Sequence, residues 1–193
     1  MKKAILSFVI AFAVFAVASA QAESEHLSIM GIPIEGSMTA FCLKLKSKGF
    51  TSLGRENDIT LFSGDFTGRK STVGVVATDD GKNVFGVGVF FDPSGEWKTL
   101  VNTYDYYKGL YTRKYGEPAF SEERNPARSD SNTSLMLALH EGKVTYFSTW
   151  NVKGGDIQIS INKSSGFYEG SVIISYRDSQ NVEAKIQDDM EDI

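Results

Sequence analysis

The chain has 193 residues and carries 20 Lys and Arg against 24 Asp and Glu, a formal net charge of −4. That acidic balance argues against nucleic acid as a partner, because phosphate binding needs clustered Lys and Arg. The single cysteine, Cys42, cannot form an internal disulfide. The two histidines, His26 and His140, have no second imidazole or thiol at ligand spacing, so neither zinc nor any other cofactor is expected.

In chain order, Lys2 and Lys3 precede an uncharged, mostly apolar run over Ala4 to Val17, and small residues follow at Ala18, Ala20 and Ala22. Charged head, apolar middle and small-residue end predict a cleavable secretory leader over residues 1–22. The run is too short for a comfortable membrane span, and no cysteine stands at the cleavage point to take a lipid. The expectation is a periplasmic or secreted protein of about 170 residues, with no membrane span after cleavage, long enough to bury a core without disulfides.

Beyond a polar lead-in over Glu23 to His26, Ser37 is placed to cap a helix whose Met38, Phe41, Cys42 and Leu45 share one face. Gly49 stops it, and Phe50 is placed to fold back onto it. Strands are predicted over Ile59 to Phe62, Thr72 to Thr78 and Val84 to Phe91, with Asp79-Asp80-Gly81-Lys82-Asn83 as a hairpin turn. That turn lacks the later bidentate glutamate of a calcium-binding loop. Gly86 and Gly88 bare a strip of sheet to which a helix or another strand could pack. The longest helix is expected from Glu96 to Tyr115, with Trp97, Leu100, Val101, Tyr104, Tyr107 and Tyr111 as its stripe.

The polar stretch from residue 121 to 134 reads as a loop or boundary. It divides a first unit over residues 23–120, holding a helix, a sheet and the long second helix, from a second unit over residues 135–193. In the latter, Leu135, Leu137 and Leu139 alternate as a strand, followed by strands through Val144 to Trp150, Ile157 to Ile161 and Val172 to Tyr176. An acidic helix with Val182, Ile186, Met190 and Ile193 on one side ends the chain. The fold class is therefore α+β, with antiparallel sheet packed by helices. Tandem helix-plus-four-strand units and one continuous sheet carrying both helices are the two arrangements that fit.

The wording of Gly31-Ile32-Pro33-Ile34-Glu35-Gly36, Phe62-x-Gly64-x-Phe66, Lys114-Tyr115-Gly116-x-Pro118 and Gly155-x-Ile157-x-Ile159-x-Ile161 resembles small exported Bacteroidetes proteins of unknown function. The arrangement is also similar to β-lactamase-inhibitor-protein-like folds. These positions are turns, caps and core residues, so the resemblance implies a fold and a compartment and brings no catalytic residue.

Chemistry is sparse. Ser160-Ile161-Asn162-Lys163 matches the Ser-x-x-Lys of penicillin-recognising enzymes, but in an alternating strand positions three apart point to opposite faces. Aromatic residues remain: Tyr106, Tyr107, Tyr111 and Trp150 are candidate binding residues, since tyrosine offers large contact area at low entropic cost. Their helical spacing equally suits a stripe that covers the sheet, from which Tyr106 departs. The expected function is an exported, non-enzymatic binding protein, with a protein, peptide or small ligand as partner and an enzyme inhibitor as one version. The alternative is a small extracytoplasmic hydrolase whose scattered carboxylates and tyrosines leave no motif.

Overall fold

The computed structural model describes residues 26–166 and 168–191. The leader expected over 1–22 lies outside the described residues, as does Ile193. A two-stranded hairpin, β1 (Ser28–Ile29) and β2 (Ile32–Pro33), precedes α1 (Met38–Ser47) and four strands in succession. These are β3 (Thr51–Glu56), β4 (Ile59–Phe66), β5 (Arg69–Ala77) and β6 (Val84–Phe91). Then come α2 (Trp97–Tyr115), β7 (Phe120–Arg124), α3 (Asn132–His140), β8 (Thr145–Val152), β9 (Gly155–Lys163), β10 (Gly170–Asp178) and α4 (Ser179–Glu191).

The eight long strands form one antiparallel sheet in the order β3-β4-β5-β6-β10-β9-β8-β7. Each half is a helix followed by four strands paired in sequence, with α3 inserted between β7 and β8 in the second half. The two halves meet last strand to last strand, with Val89 opposite Ile174 at the seam. Both arrangements anticipated from the sequence thus hold together: tandem units, fused through β6 and β10 into a continuous sheet.

The helix signals work as their chemistry requires. Ser37 Oγ accepts from the Ala40 N–H at 3.3 Å, and Phe41 and Leu45 are fully buried. Cys42 is half-buried at the edge of the core, where burial pushes its thiol pKa up. Gly116, at a φ of 86° that disfavours a side chain, ends α2, its N–H donating to the Thr112 carbonyl. In the β5–β6 turn, Asp80 Oδ1 accepts from Thr78 Oγ1 at 2.7 Å and from the Lys82 N–H at 2.9 Å. The Lys82 side chain, the Lys82 N–H and the Thr78 hydroxyl hold the Asp80 carboxyl well below the ordinary carboxylate range.

Three expectations change. Leu135 to Leu139 is not a strand but the body of α3, which buries Met136, Ala138 and Leu139 and leaves Leu137 exposed. Five consecutive apolar residues carry no decisive period. The helix is announced at its ends instead: Ser131 Oγ accepts from the Ser134 N–H, and Gly142, at φ 70°, donates to the Leu139 carbonyl.

The stretch from 121 to 134 is not a plain loop. It begins in edge strand β7, and Asn132 then ties α3 to the start of α2, accepting from the Trp97 N–H and donating to the Gly95 carbonyl. A strand reading Phe-Ser-Glu-Glu-Arg is hard to see because edges are kept polar to discourage pairing with other chains. Likewise β3, Thr-Ser-Leu-Gly-Arg-Glu, is exposed throughout and bulged between Ser52 and Gly54.

The third change concerns Gly88 alone, because α4 packs against β6, the strand that carries both glycines. The nearest group to a side chain at Gly88 would be the ring of Phe90, two residues along the same strand. A Cβ on Gly88 would come within 2.9 Å of that ring, and one on Gly74 of the next strand within 3.1 Å.

Helices α1, α2 and α3 cover one face. Across it runs the row Phe62, Val73, Val89, Ile174, Ile159, Ser148, Ser121, one residue per strand from β4 to β7. Gly170 is where α2 and α3 close onto the sheet, since a Cβ there would stand 2.8 Å from Leu100 and 2.5 Å from Leu139. Helix α4 leaves the end of β10, and its Val182 and Glu183 border Asp156 and Arg177 of the other face. Its first turn is anchored by Asp178, fully buried, whose carboxylate accepts from the Leu27 N–H at 2.8 Å and the Asn181 N–H at 3.0 Å.

Candidate binding face

The aromatic candidates separate on burial. Tyr106 is exposed, its ring beneath the Arg69 guanidinium at 5.0 Å. The other three are core residues and form no exposed aromatic surface, although Tyr111 also lines a recess on the helix side. Tyr107 stacks on Phe91 at 4.5 Å, and its hydroxyl and that of Thr67 are 2.8 Å apart. Tyr111 is buried with its hydroxyl bonded to that of Tyr176, and Trp150 donates its indole N–H to the Gly116 carbonyl at 2.9 Å. A helical stripe of aromatics was the right observation; its side of the helix is the inside.

A hydroxyl and carboxylate network lies between α2 and the outer strands of the second half. The Tyr104 hydroxyl stands 2.6 Å from Ser148 Oγ and donates to Glu123 at 3.2 Å, and Lys108 ion-pairs with Glu123. Tyr104 and Ser148 are each 0% exposed. Burial raises the Tyr104 phenol far above its ordinary value, with the Glu123 charge adding to it. A tyrosine held neutral and sealed from solvent is no proton acceptor for a substrate. The network fixes the polar edge strand β7 to the underside of α2. Ser160 and Lys163 both lie in β9, where spacing puts them on opposite faces, and His140 ends α3 with its ring 5.1 Å from that of Tyr168.

What remains is the sheet face turned away from α1, α2 and α3. Pairing register sets its rows. One reads Ser63, Thr72, Phe90, Ile173, Ser160, Phe147, Glu122 from β4 to β7. The next reads Leu61, Gly74, Gly88, Ser175, Gln158, Thr149, Phe120. Between β6 and β8 neither row contains a charge. Phe90, Ile173, Ser175, Gln158, Ser160 and Phe147 line a shallow recess of about 380 Å³ there.

Phe147 stacks on Phe120 at 5.5 Å, and Phe120 is 58% exposed. Gln158 donates to Thr149 Oγ1 at 3.3 Å and Asn162 to Ser160 Oγ at 2.7 Å, which holds these polar groups in place within the face. The charges stand at the margin: Arg177 pairs with Asp156 at 2.9 Å, and Arg124 with Glu122 at 3.4 Å. Half-buried aromatic and aliphatic groups with neutral hydroxyls and amides thus lie between charged pairs, a composition that protein interfaces share.

Sequence reasoning noted a sheet with one polar side but did not pick out these residues. Phe90 and Phe147 could have been found as large apolar side chains on the polar side of alternating strands. Among the described residues no group of three or more His, Cys, Asp or Glu side chains is placed to hold a metal ion, and no helix is long and apolar enough to cross a membrane. Comparison with protein-family models, with curated proteins and with solved structures finds no match for this chain.

Proposed function

We propose that this protein is an exported binding protein that holds another protein against the sheet face that α1, α2 and α3 leave open. The observation that carries the reading is the uncharged centre of that face, Phe90, Ile173, Phe147 and Phe120 among Ser160, Ser175, Gln158 and Thr149. A sheet of eight strands is roughly 34 Å across at about 4.8 Å per strand, wide enough for the roughly 800 Å² that each side of a stable complex buries. Export rests on the charged head, apolar run and small-residue end of residues 1–22. The enzyme-inhibitor version rests on the resemblance to β-lactamase-inhibitor-protein-like folds and is an argument from architecture.

A photo-crosslinking residue at Gln158, in the native envelope and medium, tests it. A discrete adduct is expected from that position, lost in a Phe147→Asp, Ile173→Asp double variant that still folds, and absent when the crosslinker stands at exposed Lys48 of α1's far end. Equal crosslinking from both positions, or an adduct indifferent to the two aspartates, would overturn the reading.

A further inference from the structure

A second recess lies on the helix side, between the tip of the N-terminal hairpin and the C-terminal half of α2. Met30 and Gly31 form the hairpin tip, both with positive φ, 52° and 75°, as a two-residue turn between twisted strands requires. Met30 of that tip lines one recess together with Leu110, Lys114 and Tyr115 of α2. The cavity, about 340 Å³, is walled by Met30, Phe66, Leu110, Tyr111, Tyr115 and Tyr176. This volume falls within the range of small-molecule pockets, and such pockets pair apolar walls with a few polar groups.

Two polar features point to the ligand's chemistry. Among the described residues Lys114 is the one charged residue lining the cavity, and no carboxylate lines it. Among the described residues Lys114 forms no ion pair; its ammonium lies 4.8 Å from the ring of Tyr115. The hydroxyls of Tyr111 and Tyr176 bond to each other, which uses one of their two O–H donors. An unneutralised cation beside an apolar cavity favours an anion that brings its own hydrophobic body.

We propose that this cavity binds a small amphiphilic monocarboxylate, its aromatic or aliphatic body between Met30, Leu110 and Tyr115 and its carboxylate on Lys114. The site is separate from the sheet face and stands without the function proposed for it.

Titration of 4-phenylbutanoate and of decanoate into the isotope-labelled protein, followed by amide shifts, tests the proposal. Saturable shifts are expected at Met30, Leu110 and Lys114. Affinity should fall about fivefold in Lys114→Gln and for the neutral 4-phenylbutanamide, the effect of removing one exposed charge pair. Leu110→Trp should fill the cavity and abolish the shifts; Met30→Trp serves the same purpose should Leu110→Trp not fold. Phe147→Asp, on the other face, should change nothing. Saturable shifts at these residues from neither acid, or equal binding of acid and amide, would overturn it.

Discussion

The two faces of the one sheet are built from the same strands and differ in what lies over them. On the covered side a single transverse row places Phe62, Val73, Val89, Ile174 and Ile159 side by side, each no more than 1% exposed. One residue further along the same strands, the uncovered row places Phe90, Ile173, Ser160 and Phe147, all only half-buried. Burying a large aliphatic or aromatic side chain fully stabilises by about 1.5–3 kcal/mol relative to leaving it exposed. The covered row therefore holds the fold, and the uncovered row keeps part of the same apolar surface unspent. Under the function proposed above, these half-buried rings are what a partner would cover.

Matched substitutions in adjacent residues of one strand give the largest contrast. Ile174→Ala, on the covered side, should cost about 2–5 kcal/mol in urea unfolding. Ile173→Ala, its neighbour on β10, should cost within about 1 kcal/mol. Comparable losses at the two positions would mean that the uncovered face is itself core, and the binding reading would lose its ground.

A pH dependence sharpens the same contrast from the covered side. Tyr104 and Tyr111 of α2 and Tyr176 of β10 are buried where the helix meets the sheet, and burial raises each phenol above its ordinary value of 10.0, for Tyr176 with the neighbouring Tyr111 adding to the effect. A raised acid stays protonated longer in the folded chain than in the unfolded one, so the unfolded state releases protons first as pH rises. The stability these groups contribute is full below about pH 10 and is lost above it, toward their raised values. Denaturant midpoints measured from about pH 9 to 12 should fall across that window, and less steeply in a Tyr111→Phe, Tyr176→Phe double variant. A flat profile would show that these phenols reach water in the native state.

The smallest effect is expected at Gly88→Ala. The new Cβ meets the flexible end of Phe90 rather than backbone, so the ring must swing off its glycine bed. The cost should be about 1 kcal/mol, read by thermal unfolding, together with changed aromatic side-chain resonances of Phe90. An unchanged Phe90 signal would mean that the ring is not seated on Gly88 in solution.

The hairpin turn over residues 79–83, the Ser37 cap, the Gly49 stop and the core stripes Phe41–Leu45 and Ile157–Ile161 were legible because each is a local event. A cap, a left-handed glycine or a period of 3.6 or 2 is settled within a few residues of chain. Strands β3 and β7 and helix α3 were not legible. The two strands lie at the sheet edges, where polar residues obscure the alternation, and in α3 the apolar run Leu135–Leu139 fits either period.

By itself the sequence determined an α+β chain of helices and antiparallel strands. Where the tyrosines went was decided by tertiary structure alone. Spacing places Tyr104, Tyr107 and Tyr111 on one stripe, but only the docking of α2 against β8, β9 and β10 makes that stripe the inside. The same docking leaves Phe90, Ile173 and Phe147 on the side that α1, α2 and α3 do not reach. Periodicity fixes which residues share a face; which face is buried depends on contacts between segments far apart in the chain.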